Sequence, residues 1–205
     1  MVCVGDQVTF SDMTWKATPT AWSWSFQDGN PATSNAQNPV VTFTTSGWKT
    51  ISLTAASSAG NNTTTKTAYV YVNAGGNGSA YPYRYDFEDG SVWTNDFQIY
   101  NYYGNTSKWN YTTGVGYNSN ACVKLNNYGN TFGDVDAFVT PSIDLSGLSS
   151  IGLNFEISAA SKTSPVTTST DKLTIYSSTD CGKSWAPRKI MTGTELNNVG
   201  YVGSS

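Results

Sequence analysis

Segments in which apolar and polar residues alternate with a period of two recur along this chain. In Ala21-Trp22-Ser23-Trp24-Ser25-Phe26 every second residue is a large aromatic and the others are small. Successive side chains on a strand point to opposite faces, so one face of this segment is buried. Trp48 to Ala56 repeats the pattern, with Ile51, Leu53 and Ala55 on one side and Thr50, Ser52 and Thr54 on the other. Gln7 to Phe10 reads as a first strand and Ala68 to Val72 as the last of a group. Turn signals separate them at Asp28-Gly29-Asn30-Pro31, Asn38-Pro39, Ser46-Gly47 and Ala59-Gly60-Asn61-Asn62. No apolar i, i+3, i+4, i+7 series outlasts a single turn, so no long helix is predicted.

Asn73-Ala74-Gly75-Gly76-Asn77-Gly78-Ser79 then breaks the pattern with residues that can bury nothing. This predicts a domain over 1–73, a Gly/Asn linker over 74–80 and a second domain over 81–205. In the second, Tyr83, Tyr85 and Phe87 alternate with Arg84, Asp86 and Glu88. Later strands are expected at Ala121 to Asn126, Ala137 to Thr140, Ile151 to Ile157 and Lys172 to Ser177. The predicted fold class is all-β, as two antiparallel β-sandwich domains in tandem.

Composition narrows the chemistry. Of 205 residues, 12% are charged and 14% aromatic, with a net charge of −3. Soluble domains carry roughly 25% charged residues. There is no basic footprint for a phosphate backbone, so nucleic acid is excluded as a partner. No histidine is present, which rules out Ser-His-Asp and Cys-His catalysis and any His-bearing zinc site. No run approaches the ~18 apolar residues that cross a bilayer as a helix, so no membrane insertion is expected. The start lacks the basic and apolar regions of a signal peptide, and Met1 reads as a start codon added to an excised fragment. An acidic, Thr/Asn-rich β-chain with little lysine suits a bacterial secreted or cell-surface protein.

The first domain resembles the PKD family of immunoglobulin-like β-sandwiches. The residues that carry the likeness are Gly5-Asp6-Gln7-Val8-Thr9-Phe10-Ser11-Asp12, Trp24-Ser25-Phe26-Gln27-Asp28-Gly29, Asn38-Pro39-Val40-Val41-Thr42-Phe43 and Gly47-Trp48-Lys49-Thr50-Ile51. The family's signature is written WDFGDG. Here its first Asp and first Gly are replaced, while the two rings and the Asp-Gly turn remain.

The second domain resembles the MAM-like jelly rolls of cleaved-adhesin type that follow PKD domains in secreted bacterial proteins. Its markers are Phe87-Glu88-Asp89-Gly90 with Trp93, Lys108-Trp109, Gly133-Asp134-Val135-Asp136-Ala137-Phe138, and Asp171-Lys172-Leu173 with Ser178-Thr179-Asp180-Cys181-Gly182-Lys183-Ser184-Trp185. Together the pair is similar to the accessory region of secreted Bacteroidetes metallopeptidases of the cytophagalysin (pappalysin-like) group. Their zinc-binding HExxH segment cannot occur in a histidine-free chain. The resemblance implies a non-catalytic accessory region, a spacer and a surface for protein or glycan. The rivals are a carbohydrate-binding module of a polysaccharide-degrading enzyme and a structural adhesin fragment. Such jelly rolls usually run a strand or two further than Ser205, which leaves a trimmed fold and a short family member as open alternatives.

Resemblance also implies a structural calcium, with Glu88, Asp89, Asp136 and Asp171 as ligands. The alternative reads them as turn-forming and strand-capping carboxylates. Two acids paired across a sugar cleft, as in a glycosidase, are not fixed by any spacing here. Tyr102 and Tyr103, in the loop Asn101-Tyr102-Tyr103-Gly104, are the candidate ligand-binding rings, whereas Trp22, Trp24 and Trp48 are assigned to packing. Cys122 and Cys181 fall in one predicted domain and form the candidate disulfide, the alternative being two buried thiols. Cys3 is expected to stay unpaired, since a bridge to it would cross domains.

Overall fold

A computed structural model describes residues 1–15, 17–75, 78–129 and 133–203. The chain forms two compact units. The first comprises Met1–Gly78 together with Ser178–Trp185, and the second Ser79–Ser177 with Ala186–Ser205. The division at Gly78 falls inside the predicted linker, of which Gly76 and Asn77 lie outside the described residues.

The strands of the first unit are β1 (Val2–Cys3), β2 (Gln7–Thr9), β3 (Ala21–Phe26), β4 (Gly29–Asn30), β5 (Thr33–Ser34), β6 (Val40–Phe43), β7 (Gly47–Ser57) and β8 (Gly60–Asn73). They make a five-stranded sheet in the order β1-β8-β7-β3-β5 and a three-stranded sheet in the order β2-β6-β4. Only the β1–β8 pair is parallel in these sheets. The alternating residues of β3 do what their period dictates. Trp24 and Phe26 are buried with Phe10, Val41, Phe43, Ile51 and Val72, while Ser23 and Ser25 are exposed. Trp24 and Phe26 lie nearly parallel with centroids 5.8 Å apart, and Phe10 tilts onto Phe26 at 5.0 Å. Burying rings of this size supplies most of a small sandwich's apolar stabilisation, at about 25 cal/mol per Å².

Each buried or half-buried indole in this core keeps a hydrogen-bond partner. Trp24 Nε1 donates to the Ala36 carbonyl (3.0 Å) and Trp22 Nε1 to Asp12 Oδ2 (2.8 Å). Trp48 differs from its expected place in the core. It is half-buried and meets Tyr71 edge-on at 5.1 Å. The residue beside it, Lys49, is the one buried. The turn after β3 depends on glycine by close approach: a Cβ at Gly29 would stand 2.6 Å from Phe26 Cβ and 2.8 Å from Val41 Cγ1. Beyond the core, β7 and β8 continue as an exposed hairpin linked by hydroxyl pairs, Ser52 with Thr65 (3.0 Å) and Thr54 with Thr63 (2.7 Å).

The second unit contains α1 (Gly90–Asp96), β9 (Gln98–Asn101), β10 (Asn110–Thr113), β11 (Ala121–Lys124), β12 (Asp136–Val139), β13 (Ala160–Ser161), β14 (Lys172–Ser177), β15 (Ala186–Thr192), α2 (Gly193–Leu196) and β16 (Gly200–Tyr201). Its strands pair two by two: β10 with β11, β12 with β9, β13 with β16 and β14 with β15. Strands dominate both units, and the chain is all-β. Helix α1 is too short to leave a periodic signal in the sequence. Asp89 caps it by accepting from the Ser91 N–H, and Trp93 is its buried residue. Trp93, Phe97 and Phe138 form a ring cluster with centroids 5.1 to 6.1 Å apart.

Candidate binding site

Two local arrangements carry chemistry, one in each unit. The first is a clasp around the start of the chain. Cys3 and Cys181 are joined by a disulfide with Cα atoms 5.3 Å apart, across 178 residues of sequence. Asp6 lies beside the bridge. Its carboxylate accepts from the Cys3 N–H at 2.7 Å and forms an ion pair with Lys183 Nζ at 2.7 Å. The Lys183 ammonium and the Cys3 N–H hold the Asp6 carboxyl below its ordinary range. Asp180 organises the loop that presents Cys181. It accepts from Ser184 Oγ (2.5 Å), the Ser184 N–H (2.9 Å) and Ser178 Oγ (2.7 Å), and these donors lower its pKa.

The expected Cys122–Cys181 bridge is therefore replaced by Cys3–Cys181, and Cys122 is a free thiol on β11. By sequence position Cys181 falls in the second domain, because its neighbours on both sides belong there. In the structure the β14–β15 loop, Ser178–Trp185, belongs to the first unit, so Cys3 and Cys181 share one body. Nothing local to either cysteine signals that exchange.

The second arrangement is a cleft of about 620 Å³ in the second unit. Trp93 of α1 and Trp109, just ahead of β10, line it together with Asn101, Asn105, Thr106 and Lys108. The two amides are fixed by the loop between β9 and β10. Asn101 accepts from the Gly104 N–H (2.8 Å) and donates to the Asn105 carbonyl (2.6 Å). Asn105 accepts from the Ser107 N–H (3.0 Å) and donates to Asp134 (2.8 Å). Trp109 Nε1 donates to the Asp136 carbonyl (3.2 Å), and its ring meets Phe138 edge-on at 5.1 Å.

Asp136 stands opposite Asn101 in the β12–β9 register, so the two side chains share a face of the ribbon. Its Oδ1 is buried without a hydrogen-bond partner. Burial, with the nearby Asp134 charge adding to it, raises the Asp136 pKa.

The four carboxylates proposed as calcium ligands take separate roles. Glu88 Oε1 accepts the backbone N–H groups of Asn120 and Ala121 (2.5 and 3.1 Å). Asp89 caps α1 by accepting from the Ser91 hydroxyl (2.6 Å) and N–H (2.9 Å), which lower its pKa. Asp171 pairs with Ser169 Oγ at 3.1 Å, and Asp136 is half-buried on β12. Among the described residues no group of three or more acidic, cysteine or histidine side chains stands together to hold a metal ion. As a set, these four do not fit calcium. Tyr102 and Tyr103 are 65% and 61% exposed, and Tyr102 stacks on Tyr100 at 5.9 Å. Neither tyrosine lines the cleft.

A family model described as a PKD domain matches residues 1–72. These residues are a PKD domain. The match spans β1 to β8 up to Val72, and the two-sheet core around Trp24 and Phe26 lies within it. PKD domains are typically extracellular accessory or binding domains. No curated protein and no solved structure matches the chain. No helix among the described residues is long and apolar enough to cross a membrane.

Proposed function

We propose that this chain is a non-catalytic accessory region of a secreted or cell-surface bacterial protein, serving as a spacer and as a binding surface for protein or glycan. The observation that carries the reading is the PKD domain over residues 1–72. The Cys3–Cys181 disulfide supports the exterior location, because such bonds persist in oxidising compartments. Likeness of residues 81–205 to MAM-like modules supports a metallopeptidase as the parent protein. In that setting the region contributes local concentration, holding a catalytic domain near its substrate.

A second reading, a carbohydrate-binding module of a polysaccharide-degrading enzyme, is favoured by the exposed rings of Tyr102 and Tyr103. One experiment separates these functions from catalysis. The purified chain is incubated with casein, gelatin and soluble polysaccharides, and both retention and product release are followed. Retention without product supports an accessory region, and release of peptides or sugars in proportion to the amount of chain overturns it.

A further inference from the structure

We infer that the cleft between Trp93, Trp109 and the β9–β10 loop binds a short neutral oligosaccharide. This rests on the reading of the chain as an extracellular binding region and supplies its ligand class and location. At about 620 Å³ the cleft falls within the few-hundred to ~1,000 Å³ range of small-ligand sites. Its lining sets the half-buried Trp109 ring, backed by the buried Trp93, beside amide and hydroxyl groups, and among the described lining residues Lys108 is the one charged side chain. A sugar ring has the matching character: apolar C–H faces that pack on aromatic rings and an equatorial belt of hydroxyls that both donate and accept.

The amides suit that belt. A primary amide offers two N–H donors and two acceptor lone pairs. Asn101 and Asn105 each spend one donor and one acceptor on internal bonds, Asn101 within the loop and Asn105 on Ser107 and Asp134. Each retains one donor and one acceptor, the combination a vicinal diol requires. The same internal bonds fix both side chains before a ligand arrives, so little rotamer entropy is lost on binding. Trp109 is similarly held by Asp136 and Phe138. A phosphate or sulfate ligand fits poorly, because Lys108 stands alone and Asp134 lies against Asn105. A wholly apolar ligand would leave the amides unsatisfied, which is costly.

The test uses the full chain and titration calorimetry with soluble oligomers of glucose, xylose, mannose and N-acetylglucosamine, and with oligogalacturonate as the charged probe. Thr106→Trp fills the cleft from an exposed position and is expected to weaken binding of at least one neutral oligomer by about tenfold or more, equivalent to 1.4 kcal/mol. Tyr102→Ala and Tyr103→Ala, outside the cleft, should leave it unchanged. Far-UV spectra of the variants verify folding. The inference is overturned by the absence of binding to every neutral oligomer, by undiminished binding in Thr106→Trp, or by binding of oligogalacturonate alone. Binding that disappears only with the tyrosine variants also overturns the cleft, yet it leaves the accessory role standing, which falls only to turnover.

Discussion

Lys49 Nζ lies 2.9 Å from Asp28 Oδ2, with the lysine side chain 2% exposed and the aspartate 50% exposed. The ammonium has three donors and uses them all, the other two on Thr45 Oγ1 (2.8 Å) and the Ser46 carbonyl (3.1 Å). Its hydrogen bond and charge hold the Asp28 carboxyl below the ordinary value. A group with a lowered folded pKa stabilises fully above its unfolded pKa, about 4, and loses that contribution as pH falls through the folded value. Asp28→Asn should therefore lower the urea midpoint at neutral pH and flatten the acid limb of the stability curve. Lys49→Met keeps the volume but leaves Asp28, Thr45 Oγ1 and the Ser46 carbonyl without their donor, so it should also lower the urea midpoint and flatten the same acid limb. An unchanged acid limb in Asp28→Asn would count against the pair.

The Cys3–Cys181 bridge closes 178 residues of chain. In the chain-entropy picture a loop of that length contributes roughly 5 kcal/mol through the unfolded state. Reductant, or Cys3→Ser, should lower the melting temperature of the first unit. Thiol titration of the denatured, unreduced chain should find one reactive group, Cys122. Three titratable thiols in protein made under oxidising conditions would contradict the pairing.

Legibility in the sequence followed how local each determinant was. The core of the first unit was readable because Trp24, Phe26 and Ile51 sit on strands whose faces are set by residue spacing alone. Lys49 was not: it shares its buried face with Ile51, and a lysine there is tolerated only because the turns bring Asp28, Thr45 and Ser46 to it. The disulfide was lost for the same reason on a larger scale, since the loop carrying Cys181 belongs to a body its neighbours leave. In the second unit, Asn101 and Asn105 looked like ordinary loop residues. Their role in the cleft depends on Trp93 and Trp109 arriving from α1 and the approach to β10, which no spacing rule specifies.

Asp136 distinguishes a strained carboxylate from a metal ligand. Its Oδ1 is buried and unpartnered, and its pKa is raised. A raised folded pKa makes the charged form unfavourable in the native state, so stability declines as pH rises from the unfolded value through the folded one. Asp136→Asn removes the buried charge and the repulsion from Asp134, and should raise the melting temperature of the second unit at neutral pH. Chelator should leave the wild-type melting temperature unchanged. If Asp136 bound calcium, both signs would reverse: chelator would lower the midpoint and Asp136→Asn would destabilise.

The segment Ile151–Ile157 has the alternation of a strand, yet it belongs to no strand among the described residues. Ile151, Leu153 and Phe155 are large exposed hydrophobics, with Leu153 reaching 68%. Alternation specifies which side chains share a face, whereas a strand also needs a neighbour to take its N–H and C=O groups. Here the pattern is present and, among the described residues, the neighbour is not. Amides of Gly152 to Glu156 should consequently exchange with solvent within the earliest times measured, while those of Trp24 and Leu53, paired within the five-stranded sheet, stay protected. An exposed apolar alternation also promotes edge-to-edge association. Leu153→Lys should therefore lower the concentration dependence of the sedimentation coefficient without changing the far-UV spectrum. Slow exchange across 152–156 in a monomer would show that these amides have found partners, and would remove the basis for both expectations.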